Sequence, residues 1–187
     1  MDRKNVLVIS GTDLKLTGDI YYFLRKIGLR PVDSQNLFLG GASDPYQALR
    51  ATINATCAIL IVLTGDDEAR LRQRWCYLGN REQELLRQRF YAPDDNEEDE
   101  LCLSPQPCLN VLFESGVALA TRPKKTILVK RRSLKISSIF ADRPCVELGD
   151  IYNPRRILID ILQRFGCAVD LSSNEWLNVG DFSDPEI

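Results

Sequence analysis

Histidine is missing from all 187 residues of this chain. That absence removes Ser-His and Cys-His nucleophile systems, His-ligated zinc and HExxH peptidase chemistry together. Carboxylates, hydroxyls, thiols, lysine and arginine remain for chemistry. Six cysteines are present, Cys57, Cys76, Cys102, Cys108, Cys145 and Cys167, and no two form a CxxC pair. Zinc ribbons and thioredoxin-type sites are therefore excluded, and a chain of this length does not read as a secreted disulfide framework. The thiols are expected as small buried hydrophobes, and no metal site is expected. Long apolar runs are also lacking. Val6 to Ile9 is only four residues, and the longest run, Cys57 to Leu63, falls far short of a signal-peptide core or a membrane span. The chain is expected to be soluble and cytoplasmic, with no membrane partner. Neither GxGxxG nor GxxxxGK[ST] occurs, so a redox dinucleotide fold and a P-loop NTPase lack support. Charge of one sign is not in excess either: 24 Lys and Arg stand against 26 Asp and Glu, a net −2. As a whole, the molecule does not attract nucleic acid.

What is present suits a globular α/β domain. The hydrophobic fraction is 44% and the charged fraction 27%, an ordinary balance for one packed domain with a small appendage. Val6 to Ile9, Leu29 to Asp33, Cys57 to Thr64, Thr126 to Lys130 and Cys145 to Leu148 read as short strands. The all-apolar ones belong in the middle of a parallel sheet, covered on both faces. Helices are predicted between them. Ile20, Phe23, Leu24 and Ile27 recur at helical spacing before Gly28. Asp44 to about Asn54 starts with Pro45 in its first turn, and Leu109 to Ala120 reads as a buried helix. Ile157, Ile161 and Phe165, beside Leu158 and Leu162, form a closing amphipathic helix. Glu68 to Phe90 is helix-prone and arginine-rich. Six of the seven residues Asp94 to Glu100 are acidic, so about 91–107 is expected as a loop-like insertion. Residues 1–170 are expected to form the domain and 171–187 a tail that either docks through Trp176 or trails. Alternating strands and helices predict a three-layer sandwich around a parallel sheet of about five strands.

Ligands of open parallel sheets bind beyond the carboxyl ends of the strands. Ser10-Gly11-Thr12-Asp13, the Gly40-Gly41 loop and Thr64-Gly65-Asp66-Asp67 are expected to converge there. The most informative residue is Glu114. From Leu109 to Ala120 the only polar side chains are Asn110, Glu114 and Ser115. Leu109, Leu112, Phe113, Gly116 and Ala120 fall on one face of that helix, which is expected to pack on the sheet. Asn110 and Glu114, four apart, share another face. A lone carboxylate on so apolar a helix is costly unless a cleft or a partner stabilises it.

The order of these elements, with LTGDD after the third strand, NVLFESG in the next helix and TILVK in the following strand, resembles the TIR-like domains of nucleotide-binding proteins in bacterial antiphage defence. The likeness spans about residues 5–166, and Asn110-Val111-Leu112-Phe113-Glu114 is its most specific part. The resemblance implies a flavodoxin-like, TIR-like fold and cleavage of NAD at the nicotinamide–ribose bond, with NAD as substrate and no resident cofactor. By position the catalytic residue is Glu114. Ser10, Gly11 and Asp13 match the first loop, Asp66 and Asp67 the third-strand loop, and Asn110 opens the helix motif; these are the implied substrate-binding residues. Ser10 stands where the family usually has histidine, and Pro105-Gln-Pro-Cys108 lacks the basic residue common before the helix. The resemblance further implies activation by assembly into a homo-oligomer, in which a neighbour's loop after the second strand (here Gln35 to Ser43) completes the site.

Two alternatives stay open on the sequence. A nucleoside deoxyribosyltransferase-like enzyme would also use a glutamate at the sugar, and a non-catalytic TIR-like module would bind a nucleotide signal or a partner without turnover. The acid-free stretch Arg122 to Lys135 is a real basic patch, but it straddles a buried strand and lacks interleaved aromatics. That argues against nucleic acid and is compatible with attraction of a pyrophosphate or an acidic neighbour.

Overall fold

The computed structural model describes residues 2–35, 44–69, 104–131, 134, 140, 143–149 and 154–183. Five strands form one parallel sheet: β1 (Asn5–Ile9), β2 (Arg30–Asp33), β3 (Ala58–Leu63), β6 (Thr126–Arg131) and β7 (Cys145–Leu148). Their spatial order is β2-β1-β3-β6-β7. Between β3 and β6 in sequence, β4 (Asp67–Ala69) and β5 (Ser104–Gln106) pair antiparallel as a separate ribbon. The helices are α1 (Leu14–Lys26), α2 (Pro45–Ala55), α3 (Leu109–Thr121) and α4 (Pro154–Arg164).

Strand alternation separates two cores. Val6, Val8, Leu60, Val62, Ile127 and Val129 face α1 and α4, whereas Leu7, Ile9, Ile59, Ile61, Leu63 and Leu128 face α2 and α3. Both sets are apolar because both faces are covered, so β1 and β3 read as uninterrupted hydrophobic runs. The expected three-layer α/β sandwich is what forms.

Local chemistry fixes the helix ends. Asp13 caps α1 by accepting from the Leu16 amide at 2.9 Å. Asp44 caps α2 through the Tyr46 and Gln47 amides, with Pro45 at the first helical position. At the far end of α1, Gly28 takes φ 76°. There the Gly28 amide bonds Arg25 O and the Leu29 amide bonds Leu24 O, a Schellman closure that favours glycine and turns the chain into β2.

Three expectations need correction. Glu68 and Ala69, expected to begin a helix, belong with Asp67 to a strand, and Ser104 to Gln106 is its partner and not loop. Three-residue strands exist through pairing, so propensity could not foretell them. Residues 70–103, which hold most of the predicted helix and the acidic run, lie outside the described residues, as do Gly40 and Gly41. Third, the sheet-facing side of α3 is not the one expected. Val111, Glu114, Ser115 and Ala118 are buried, whereas Leu109 is 75% and Phe113 55% exposed. Gly116 and Ala120 are exposed as well. A helix apolar nearly all round carries little phase information in its periodicity. The small side chains of Ser115 and Ala118 let it approach the sheet, and the Ser115 hydroxyl is satisfied by Val111 O. Phe113 instead packs its ring against Tyr46, 6.1 Å between centroids. In α4, similarly, Ile157 is turned largely outward while Leu158, Ile159, Ile161 and Leu162 are buried.

Of the two courses open to the tail, the structure takes docking. Trp176, Val179 and Phe182 join the core on the α1 and α4 side. Phe182 meets Phe23 edge to face at 5.8 Å, and the Arg155 guanidinium lies 4.4 Å from the Phe182 ring centre. Arg155 also donates to the carbonyls of Val179 and Gly180. No helix among the described residues is long and apolar enough to cross a membrane.

Candidate functional site

The strand order reverses between β1 and β3, so the crevice at their carboxyl ends is where an open α/β sheet offers a ligand site. The loops leaving these strands are tied together by Asp66. Its carboxylate accepts from the Thr12 amide at 2.9 Å, the Thr12 hydroxyl at 2.8 Å and the Thr64 hydroxyl at 3.0 Å. A longer contact, 3.5 Å, reaches the amide of Cys108, the residue that precedes α3. One side chain thus links the β1 loop, the β3 loop and the start of the glutamate-bearing helix. Gly11 lies directly under it, and a Cβ there would sit 1.9 Å from Asp66 Oδ2. Gly11 is needed for this close approach. From the β2 side, the Gln35 side-chain amide donates to Ser10 O at 3.1 Å and Gly11 O at 3.2 Å. Ser10 is itself buried, 6% exposed.

Glu114 faces inward from α3 and is also only 6% exposed. Among the described residues its Oε2 is buried without a hydrogen-bond partner, and the same holds for the hydroxyl of Ser34 at the tip of β2. Burial raises the Glu114 pKa above the usual carboxylate range. The Ser34 hydroxyl opposes that shift from too poor a geometry to close a bond, and the Asp33 carboxylate adds to it. A desolvated acid beside a second carboxylate, at the strand tips, is the arrangement in which functional groups are found.

The remaining expected site residues are dispersed. Asp13 turns toward the end of β6, where Arg131 Nη2 lies 2.8 Å from its Oδ2. Burial alone would raise its pKa, but the Leu16 amide and the Arg131 guanidinium hold it below the ordinary value. Asp67 is exposed in the β4–β5 ribbon, and Asn110 is exposed in the first turn of α3. Among the described residues no hydrogen bond joins Asn110 to Glu114. Asp33 and Ser34 were not singled out from the sequence as site residues, and Gln35 was named only as the start of the loop expected to reach a neighbour. Their signal was positional, because they follow a strand adjacent to the switch point, and a lone Asp-Ser-Gln after a strand looks like any turn.

The described part of the basic patch is largely committed to the fold, and Arg132 and Lys135 lie outside the described residues. Arg122 Nη1 donates to Ile53 O and Thr56 O at 2.9 and 2.5 Å, closing the end of α2. The Lys125 ammonium bonds Phe165 O, Lys130 pairs with Glu147 at 2.9 Å, and Arg131 pairs with Asp13. Two open cavities lie elsewhere. One of about 370 Å³ is bounded by Arg155, Leu177 and Phe182, and one of about 400 Å³ by Lys124, Arg164 and Phe165. Neither includes Glu114.

A five-stranded parallel sheet in this order is a flavodoxin-like α/β arrangement, and with a helix carboxylate buried near the strand tips it is consistent with a TIR-like domain. The chain belongs to the family described as CAP12/Pycsar effector protein, TIR domain, whose model matches residues 5–142. That match runs from β1 past β6 and stops before β7, α4 and the docked tail. A search of curated proteins found no match.

Proposed function

We propose that this chain is a TIR-type NAD glycohydrolase acting as an antiphage effector in the cytoplasm, with Glu114 as its catalytic residue. The observation that carries the reading is the buried Glu114 carboxylate, whose Oε2 has no hydrogen-bond partner among the described residues, at the strand tips of a CAP12/Pycsar effector TIR domain. The chemistry does not require histidine. The bond between nicotinamide and ribose breaks with the electron pair going to a pyridinium nitrogen, so the leaving group departs neutral and needs no acid. Positive charge develops on the ribose as an oxocarbenium ion. A carboxylate beside the ring stabilises that charge until water adds. Because Glu114 is desolvated, its interaction with a developing cation is strong, and because its pKa is raised, activity rises with pH as the carboxyl ionises.

NAD is substrate here and no resident cofactor is invoked. Activation by assembly into a homo-oligomer belongs to the same reading. Of the segment Gln35 to Ser43 proposed to reach a neighbour, only Gln35 is among the described residues. Within this reading Ser10, Gly11, Asp13, Asp66, Asp67 and Asn110 are the substrate-binding candidates. The geometry favours indirect roles for Asp66, which is committed to loop contacts, and for Asp13, which is committed to Arg131. The test is incubation of concentrated protein with NAD while free nicotinamide and ADP-ribose are followed together. Equimolar release of both is expected. Base exchange on deoxynucleosides with NAD untouched would move the chain to the deoxyribosyltransferase class. Ligand-induced stabilisation without turnover would make it a binding module.

A further inference from the structure

Two buried oxygens at one place, each without a hydrogen-bond partner among the described residues, call for an explanation. Ser34 is 1% exposed and Glu114 6% exposed, and Ser34 Oγ and Glu114 Oε2 are both unsatisfied. An orphaned buried polar group is costly, so two neighbouring orphans are retained where something else completes them. Neither is there by local disorder of the backbone. The Ser34 amide continues the sheet by bonding Val8 O at 3.1 Å, and Glu114 sits in the middle of α3. The two groups reach one spot from β2 and α3, beside the β1 loop that Gln35 holds in place.

We infer that Ser34 is a second sugar-binding group of the Glu114 site, and that the pair reads the vicinal diol of a ribose. The inference rests on the nucleotide-cleaving reading above and specifies which part of the ligand this corner takes. An ionised carboxylate only accepts hydrogen bonds, whereas a hydroxyl both donates and accepts. The complement is a neutral group with two adjacent hydroxyls, one donating to Glu114 and the other exchanging a bond with Ser34. A phosphate does not fit, because Asp33 and Glu114 place two carboxylates at the spot and would repel it. A 2′-deoxy sugar would leave one of the two protein oxygens without its partner. Sites built to bond a hydroxyl reject the analogue that lacks it for this reason.

The experiment measures binding of ADP-ribose and of its analogue lacking the terminal ribose 2-hydroxyl, by calorimetry on concentrated protein. Wild type should prefer ADP-ribose by about 10–100-fold. Ser34→Ala should bring that ratio close to one while its thermal melt shows an intact fold. Glu114→Gln, which keeps side-chain shape, should lower the same ratio. An unchanged ratio in Ser34→Ala overturns the inference, as does a wild type that binds neither compound. If Ser34→Ala instead loses stability at an unchanged ratio, the two oxygens serve only each other. Turnover is measured separately. A diol preference lost in Ser34→Ala with no nicotinamide release leaves the sugar site standing and refutes the hydrolase.

Discussion

Replacing Glu114 by glutamine separates function from stability, because the two should move in opposite directions. Glu114 is 6% exposed, and its Oε2 has no hydrogen-bond partner among the described residues. Gln preserves the shape and removes the charge. Loss of an electrostatic contact to a developing cation costs on the order of 3–4 kcal/mol of transition-state stabilisation, so nicotinamide release should fall about 10²–10³-fold. The fold should gain. An unsatisfied buried group costs about 1–3 kcal/mol, part of which the glutamine amide retains, leaving a gain of about 1 kcal/mol at neutral pH. For a chain of this size that raises Tm by about 2–4 °C.

The pH dependence follows from linkage. Glu114 has a raised pKa in the folded state, so the folded protein binds this proton more tightly than the unfolded chain does. Below the ordinary value of 4.5 both states are protonated and the wild-type side chain carries no penalty. As pH rises from there through the raised folded value, wild type loses stability relative to the variant, and above it the deficit is constant. Paired thermal melts from pH 4 to 8 should therefore diverge with increasing pH, while the wild-type rate climbs over the same window. A Tm difference that ignores pH, or a glutamine variant that still releases nicotinamide at full rate, would refute the reasoning.

Other substitutions test the surrounding architecture. Gly11→Ala puts a methyl 1.9 Å from Asp66 Oδ2 and should cost about 2–4 kcal/mol in denaturant melts by displacing bonds to a charged acceptor. Asp66→Ala should cost a similar amount, and the double variant much less than the sum, because both remove one arrangement. Arg122→Met removes the donor to Ile53 O and Thr56 O. A loss of about 1–3 kcal/mol is expected, with faster amide exchange at the end of α2. Phe182→Ala empties a 3% exposed site beneath Arg155 and against Phe23. It should cost about 3–5 kcal/mol and expose the tail to limited proteolysis.

How legible the protein was differs from element to element. The apolar strands β1 and β3 announced themselves, since a strand covered on both faces needs no polar alternation. Helix α1 was equally clear from its spacing and closing glycine. Helix α3 showed that it exists and that Glu114 is its odd residue, but not which way it faces. Leu109 and Phe113 looked like core and lie outside, because Ser115 and Ala118 can approach the sheet where larger side chains cannot. Asp66, expected as a ligand contact, also binds three parts of its own chain, which its place in a turn did not foretell. The ribbon β4–β5 left no local trace, since each three-residue strand is stable only against the other.

Composition and pattern by themselves determined the chemistry available, the layered α/β class, the parallel sheet and the residue most worth testing. These follow from short-range rules: which atoms can react, and which spacing suits a helix or strand. Only the tertiary structure decided the rotation of α3, the commitment of Asp13 and Asp66 to internal partners, the docking of the tail and the meeting of Ser34 with Glu114. Each depends on contacts between residues far apart in the chain, and a side chain's burial and partners are properties of the packed whole.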